Sequence, residues 1–315
     1  MFKYFLAAAM AGTLLLSACD GTRDRSSPPE VSISVLSSPP GQVSAGTALL
    51  AVDASADLHQ ELELWVEETQ FEDGDRASEG DRFTTLVSGL ADGENRIEAR
   101  IGDRVLASIT LNNHPAWGPV ISGPHQTPFF CHPESSGLGA AHDEFCHTDS
   151  VVEYYYRPTD PTTGTVGAGF LPLTDPTDPP ADIARTTTTE GVETDFIVRV
   201  ERGTWNRGVY QIAVLYDPAA TDWTATMPQA QWNGRLYYAM EGSCRPGYVQ
   251  GSESAGDILR DRYGQDEALG LGFAIARHSL TRQGNMCGND QINAESMMMT
   301  KEHFIKHYGV PDWTI

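Results

Sequence analysis

The stretch from Asn293 to Ile315, NAESMMMTKEHFIKHYGVPDWTI, carries the reading of the fold. Asn293 suits an N-cap, Ala294 to His307 are good helix formers, and Gly309 with Pro311 stops the helix. Met297, Met298, Phe304 and Ile305 mark its apolar side, and Asp312-Trp313-Thr314-Ile315 opens a strand. Upstream, Gly272-Phe273-Ala274-Ile275-Ala276-Arg277 is a buried-strand run and Asp257 to Arg262 fits a short helical turn. Arg235-Leu236-Tyr237-Tyr238-Ala239-Met240 is a further strand, entered through Gln231-Trp232-Asn233-Gly234. Before it, Phe196 to Arg202 and Val209 to Tyr216 flank a turn at Asn206-Arg207-Gly208, the pattern of a hairpin. A hairpin followed by strand, loop, strand, helix and strand predicts an α/β sheet with right-handed crossovers. In such a sheet the strand after a helix has neighbours on both edges, and a stub leaves buried groups unpaired at roughly 1–3 kcal/mol each. Residues 114–315 are therefore expected to be the N-terminal part of an α/β domain, truncated in this chain, with Trp313 to Ile315 in the sheet interior.

From Glu30 to Asn113 the period is two. Val31, Ile33 and Val35 alternate with Ser, Leu49 to Val52 form an apolar run, and Leu62, Leu64 and Val66 alternate with Glu. Ile97, Ala99 and Ile101 lead into a tight turn at Gly102-Asp103 and a returning strand through Leu111. About seven short strands in this span predict an all-β, immunoglobulin-like sandwich over residues 30–113. The acidic run from Glu67 to Asp81 reads as a solvated loop, and the segment from His114 to Phe130 as the entry into the second domain. Prolines break residues 151–190 into a surface wrap, in which Tyr154-Tyr155-Tyr156 are expected to bury alternately in a strand.

The N-terminus decides the compartment. Lys3 precedes an apolar stretch, Tyr4 to Ala18, too short to span a bilayer and ending in small residues, which is the layout of an export signal. Leu16-Ser17-Ala18-Cys19 resembles the lipobox of bacterial lipoproteins. That resemblance implies removal of residues 1–18, a diacylglycerol on the Cys19 thiol, a tether over 19–29 and the lipid bilayer of the cell envelope as partner; an ordinary cleavable signal is the alternative. Four cysteines then remain in an oxidising compartment, Cys131, Cys146, Cys244 and Cys287. Two disulfides are the economical reading; of three pairings, proximity favours Cys131–Cys146 and leaves Cys244–Cys287. Zinc held by Cys131, His132, His142, Cys146 and His147 is the rival, although no metal-ligand spacing occurs there. With 21 Lys+Arg against 43 Asp+Glu and a net charge of −22, a basic nucleic-acid surface is excluded.

Several pieces stand in a joint order: Asn113-His114-Pro115 with Gly118 to Pro124 and Pro128-Phe129-Phe130-Cys131; Val200-Glu201-Arg202-Gly203-Thr204 with Asn206-Arg207-Gly208; Trp232 to Leu236; and Lys301 to Ile305 before Tyr308-Gly309-Val310-Pro311. Together they resemble a family of secreted bacterial proteins, largely of unknown function, classed with tannase and feruloyl esterase-like α/β-hydrolases. The resemblance implies a carboxylic-ester hydrolase that acts on an ester or phenolic small molecule through an acyl-enzyme, with no metal or organic cofactor. It also implies that the strand at Trp313-Thr314-Ile315 runs into a nucleophile elbow, whose glycines permit the strained turn that lifts a serine above the sheet. No Gly-x-Ser-x-Gly occurs in the chain, so the chain by itself is expected to be inactive and its triad residues to lie elsewhere. Gly242 and Ser243, in the loop after the Arg235–Met240 strand, are the candidates for supplying an oxyanion N–H; the alternative is a turn pinned by Cys244. His278 reads as structural, and His303 with His307 as a pair complementing the helix dipole on a wet surface. The rival function is a non-enzymatic, envelope-anchored module that binds carbohydrate or protein.

Overall fold

The period-two segments form strands, and the later helix-period segment forms a helix, in a computed structural model that describes residues 30–72, 76–220, 223–240, 247–281 and 289–315. The front strands are β1 (Ser32–Val35), β2 (Val43–Ser44), β3 (Thr47–Asp53), β4 (Glu63–Val66), β5 (Thr69–Phe71), β6 (Ala77–Glu79), β7 (Arg82–Ser88), β8 (Gly93–Ile101) and β9 (Arg104–His114). They make two sheets, ordered β1-β3-β7-β6 and β2-β9-β8-β4-β5. Alternation sends Leu50, Val52, Leu64, Phe83, Val87, Ile97 and Leu111 into one core. Ile101 faces Arg104, which leaves Gly102-Asp103 as a two-residue turn, and Gly102 takes the left-handed φ of +54°.

The second part comprises β10 (Val151–Tyr156), β11 (Leu171–Leu173), β12 (Arg185–Thr187), β13 (Glu193–Asp195), β14 (Ile197–Trp205), β15 (Gly208–Leu215), β16 (Arg235–Tyr238), α1 (Ala255–Ile258), α2 (Gln265–Gly270), β17 (Ala274–His278), α3 (Asp290–Tyr308) and β18 (Trp313–Thr314). Among the described residues the main sheet runs β11-β10-β14-β15-β17-β16-β18. Neighbours are antiparallel as far as β17, whereas β16 lies parallel to both β17 and β18. One face, including Val198, Val200, Ala213 and Ile275, packs on Ile258 of α1 and Leu269 of α2. The other, including Tyr210, Ile212, Leu236 and Ala276, packs on Phe304, Ile305 and Tyr308 of α3. Leu49, on the side of β3 opposite Leu50, joins that second face, so the front sheets rest on the α3 side.

Two expectations need correction. Helix α3 starts before Asn293, because Asn289, in a non-helical conformation, accepts the N–H of Ile292 on its Oδ1 at 3.0 Å and is the true N-cap. His303 is not on a wet surface; it is buried against the sheet, with Nε2 2.7 Å from Glu201 Oε1. At the edge of the sheet, among the described residues, β18 pairs with β16 alone, and Trp313 and Ile315 are 52 and 58 % exposed.

Polar contacts join the two parts. Glu302 Oε1 accepts from Ser44 N at 3.0 Å and lies 2.8 Å from Lys306 Nζ, while Ser44 Oγ donates to Glu302 Oε2 at 2.5 Å. Lys306 Nζ in turn donates to the Ser44 carbonyl at 2.7 Å. Both charged groups are buried, and each has the partner that such burial requires.

Candidate functional site at the carboxyl ends of the parallel strands

The β14–β15 turn consists of Asn206 and Arg207, with φ of +45° and +62°, and Trp205 paired to Gly208 closes it. Both central residues are left-handed, which matches strand twist in a two-residue hairpin but is uncommon for arginine. Gly208 lies beside the end of β17: a Cβ there would stand 2.2 Å from His278 Cε1, so the imidazole fits only against glycine. Register places this turn at the carboxyl ends of β16 and β17, since Tyr210 faces His278 and Tyr238 faces Ala276. Ligands of open α/β sheets gather at that end of the strands.

A cavity of about 150 Å³ opens there. Its walls include Phe129, Arg207, Tyr248, Leu280, Asn289 and Ile292. Arg207 is 7 % exposed, its Nη1 donates to the Gln126 carbonyl at 3.2 Å, and its guanidinium lies 4.1 Å from the centre of the Phe129 ring. Its Nε has no hydrogen-bond partner among the described residues. Burial lowers the Arg207 pKa from its ordinary value, and the field of Glu295 opposes that.

The loop over the cavity is held by one carboxylate. Glu295 Oε2 accepts the N–H groups of Val120, Ile121 and Ser122 at 2.7, 2.6 and 2.8 Å, and Ser122 Oγ donates to Oε1 at 2.9 Å. Gly118, at φ +72°, lets the loop pass Asn206, since a Cβ there would lie 2.7 Å from its Oδ1. Further along, Phe130 N donates to Tyr248 O at 2.8 Å and Gln250 N to Phe130 O at 3.0 Å. The buried Gln250 side chain accepts from His132 N at 2.9 Å and donates to Cys146 O at 3.2 Å. Cys131 and Cys146 are joined in a disulfide, which takes both thiols from the zinc alternative and is the bond of an oxidising compartment.

Two other polar clusters are closed. His278 is fully buried; its Nε2 lies 3.1 Å from Trp205 O, its Nδ1 accepts from Leu280 N at 3.1 Å, and burial pushes its pKa down to about 4. Glu201, also buried, accepts the Tyr210 and Tyr308 hydroxyls at 2.7 and 2.5 Å and meets His303 and Arg199. Burial would raise its carboxyl pKa, but His303, Arg199 and Tyr210 together hold it down at about 2. Neither group opens onto the cavity, so both are scaffold.

Gly242, Ser243, Cys244 and Cys287 lie outside the described residues, as does Cys19. What sequence reading overlooked is Arg207. The sequence shows it only as part of a turn, although a turn gains nothing from arginine in the left-handed region, and that mismatch is the available signal. Among the described residues, no helix is long and apolar enough to cross a membrane.

Comparison with curated proteins returns no match. Among solved structures, the Yersinia pseudotuberculosis adhesin InvE is 9 % identical at a TM-score of 0.22, covering 59 % of this chain and 54 % of the adhesin. Surface layer protein SbsC, domains 4–9, is 12 % identical at a TM-score of 0.17, covering 68 % of this chain and 34 % of that one. The chain thus spans little more than half of the adhesin's length, and neither likeness is close enough to carry an argument. Residues 33–315 match a tannase-like family of unknown function, and the chain belongs to that family.

Proposed function

We propose that this is a lipid-anchored envelope protein in which an immunoglobulin-like sandwich precedes the front of an α/β-hydrolase-type sheet, and that it serves carboxylic-ester hydrolysis. The observation that carries the reading is the order β14-β15-β17-β16-β18, with β15 antiparallel and the next strands parallel. In that arrangement β16 takes the place of the strand whose following loop supplies an oxyanion N–H, and β18 that of the strand leading to the nucleophile. The tannase-like description of the family supports it. Lipid attachment at Cys19 is part of the proposal and rests on the Leu16-Ser17-Ala18-Cys19 motif. No serine of residues 1–315 stands in a Gly-x-Ser-x-Gly turn, and the nucleophile is assigned to none of them.

A fluorophosphonate probe and a chromogenic ester series, applied to the whole gene product and to residues 1–315, test this. The whole product is expected to be labelled and to turn over esters; residues 1–315 are expected to do neither. Stoichiometric labelling of residues 1–315, or an inert whole product, would overturn the assignment. The second outcome would favour the rival reading as a binding module, to which a cavity lined by a buried arginine is equally suited.

A further inference from the structure

We propose that the Cys131–Cys146 disulfide is a redox-sensitive clasp on the cavity wall that carries Tyr248: intact, it holds that wall in place, and cut by a dithiol, it lets the wall go. The proposal rests on reading this end of the sheet as the site, and it goes further by naming how that site is regulated.

One buried side chain spans both ends of the bond. Gln250 is fully buried; its Oε1 accepts from the N–H of His132, next to Cys131, at 2.9 Å, and its Nε2 donates to the carbonyl of Cys146 itself at 3.2 Å. The backbone of the same segment is tied as well: Phe130 pairs with Val249, Phe130 N donates to Tyr248 O, and Gln250 N donates to Phe130 O. Farther along, Glu253 N donates at 3.0 Å to Ser136 Oγ, inside the loop that the disulfide closes. Phe129 and Tyr248, at the cavity end of these pairings, both line the cavity. A bond that fixes Cys131 and Cys146 around Gln250 therefore fixes two of its walls.

The bond is also placed to open without the sheet. Cys131 is half-buried and Cys146 fully buried, so a thiolate attacks on the Cys131 side and Cys146 is the leaving group. One sulfur of the dithiol bonds to Cys131 while the S–S electron pair departs to Cys146, which takes a proton. The second sulfur then closes on the first, releasing Cys131 as a thiol, and the dithiol leaves as a disulfide that has given up two electrons and two protons. Cys146 is held at φ +65°, in the left-handed region that a residue other than glycine enters only under constraint, so it relaxes once freed. Among the described residues, the chain between the two cysteines forms no strand and one short 3₁₀ turn, Pro133–Ser136, and its opening breaks no ladder of the sheet.

Hydrogen exchange on the full chain, in oxidising buffer and in excess dithiothreitol, tests the proposal, with differential alkylation and mass spectrometry reporting the state of Cys131 and Cys146. Reduction is expected to speed exchange over residues 248–253 at least ~10-fold, to leave β14 and β15 unchanged, and to be reversed by reoxidation. Gln250→Ala is expected to show the faster exchange with the bond intact and to gain little more from reduction. A pair that stays oxidised in the folded chain, unchanged exchange once it is reduced, equal loosening of β14 and β15, or a full additional effect of reduction in Gln250→Ala would each overturn it. If Gln250→Ala does not fold, Cys131→Ser with Cys146→Ser decides: it must exchange like the reduced chain in either buffer, and a variant that keeps the oxidised protection refutes the clasp. In the whole gene product, ester turnover is expected to fall and recover with the same redox state, and turnover that ignores it refutes the clasp's hold on the site. A product without esterase activity would sink the esterase reading and leave the exchange result to decide the clasp.

Discussion

His278 illustrates how one side chain reports on its surroundings. It is wedged between Gly208 and the chain end of β17, accepts the Leu280 N–H, and stays neutral because charging it in that place would strip an imidazolium of water. Its folded pKa of about 4 lies below the ordinary 6.5, so the stability it secures is complete above pH 6.5 and falls as pH drops toward 4. The expected loss is up to about 3 kcal/mol. Urea denaturation at pH 7, 5 and 4 should show this slope in the natural chain and a shallower one in His278→Gln, whatever the variant's absolute stability. Glu201 loses its contribution in the same direction, on acidification, but in a lower window. Its carboxyl, held at about 2 against an ordinary 4.5, keeps its contribution above pH 4.5 and loses it as pH falls through about 2. Removing it by Glu201→Ala leaves His303 and two tyrosine hydroxyls around an empty place and is expected to cost about 3–5 kcal/mol, measured by denaturation at pH 7. The structural role of His278 could be read from its place after an apolar run. The burial of His303 could not, since its partner Glu201 is distant in sequence and meets it only when α3 packs on the sheet.

At the level of elements, α3 organises the site through its first turns. Asn289 caps it, and Asn289→Ala is expected to cost about 1 kcal/mol in denaturant unfolding. Glu295, farther along the helix, gathers the N–H groups of residues 120–122 and so fixes the loop that overlies the cavity. Glu295→Ala should destabilise the chain by about 1–3 kcal/mol and expose residues 118–130 to limited proteolysis; unchanged protection of that loop would refute the role given to Glu295. The existence and type of β14, β15, β16, β17 and α3 were all legible in the sequence, because apolar periodicity directly records which side of an element faces a core. The start of α3 is ambiguous in the sequence, because Asn289 and Asn293 both suit a cap, and tertiary packing buries the second. Asn206-Arg207-Gly208 was legible as a turn, but the buried position of Arg207 depends on Gln126 and Phe129 folding over it.

For the molecule as a whole, the junction between the front sheets and α3 combines apolar contact through Leu49 with the Ser44, Glu302 and Lys306 cluster. Glu302→Ala strands a buried ammonium, and an expected loss of about 3–5 kcal/mol follows. Glu302→Met with Lys306→Met removes both charges and should recover much of that loss, which a double-mutant cycle in urea would measure. A purely additive result would mean the pair is not coupled. The alternation of residues 30–113, 196–202 and 209–216, the helix before Gly309 and the acidic balance were determined by the sequence alone, since each depends on local periodicity or on charge count. Strand order, the parallel placement of β16 between β17 and β18, the Glu201 and Glu302 clusters and the cavity at Arg207 were decided only by the tertiary structure. Those features join residues far apart in the chain, and only the packing of one element on another brings them within reach of a hydrogen bond.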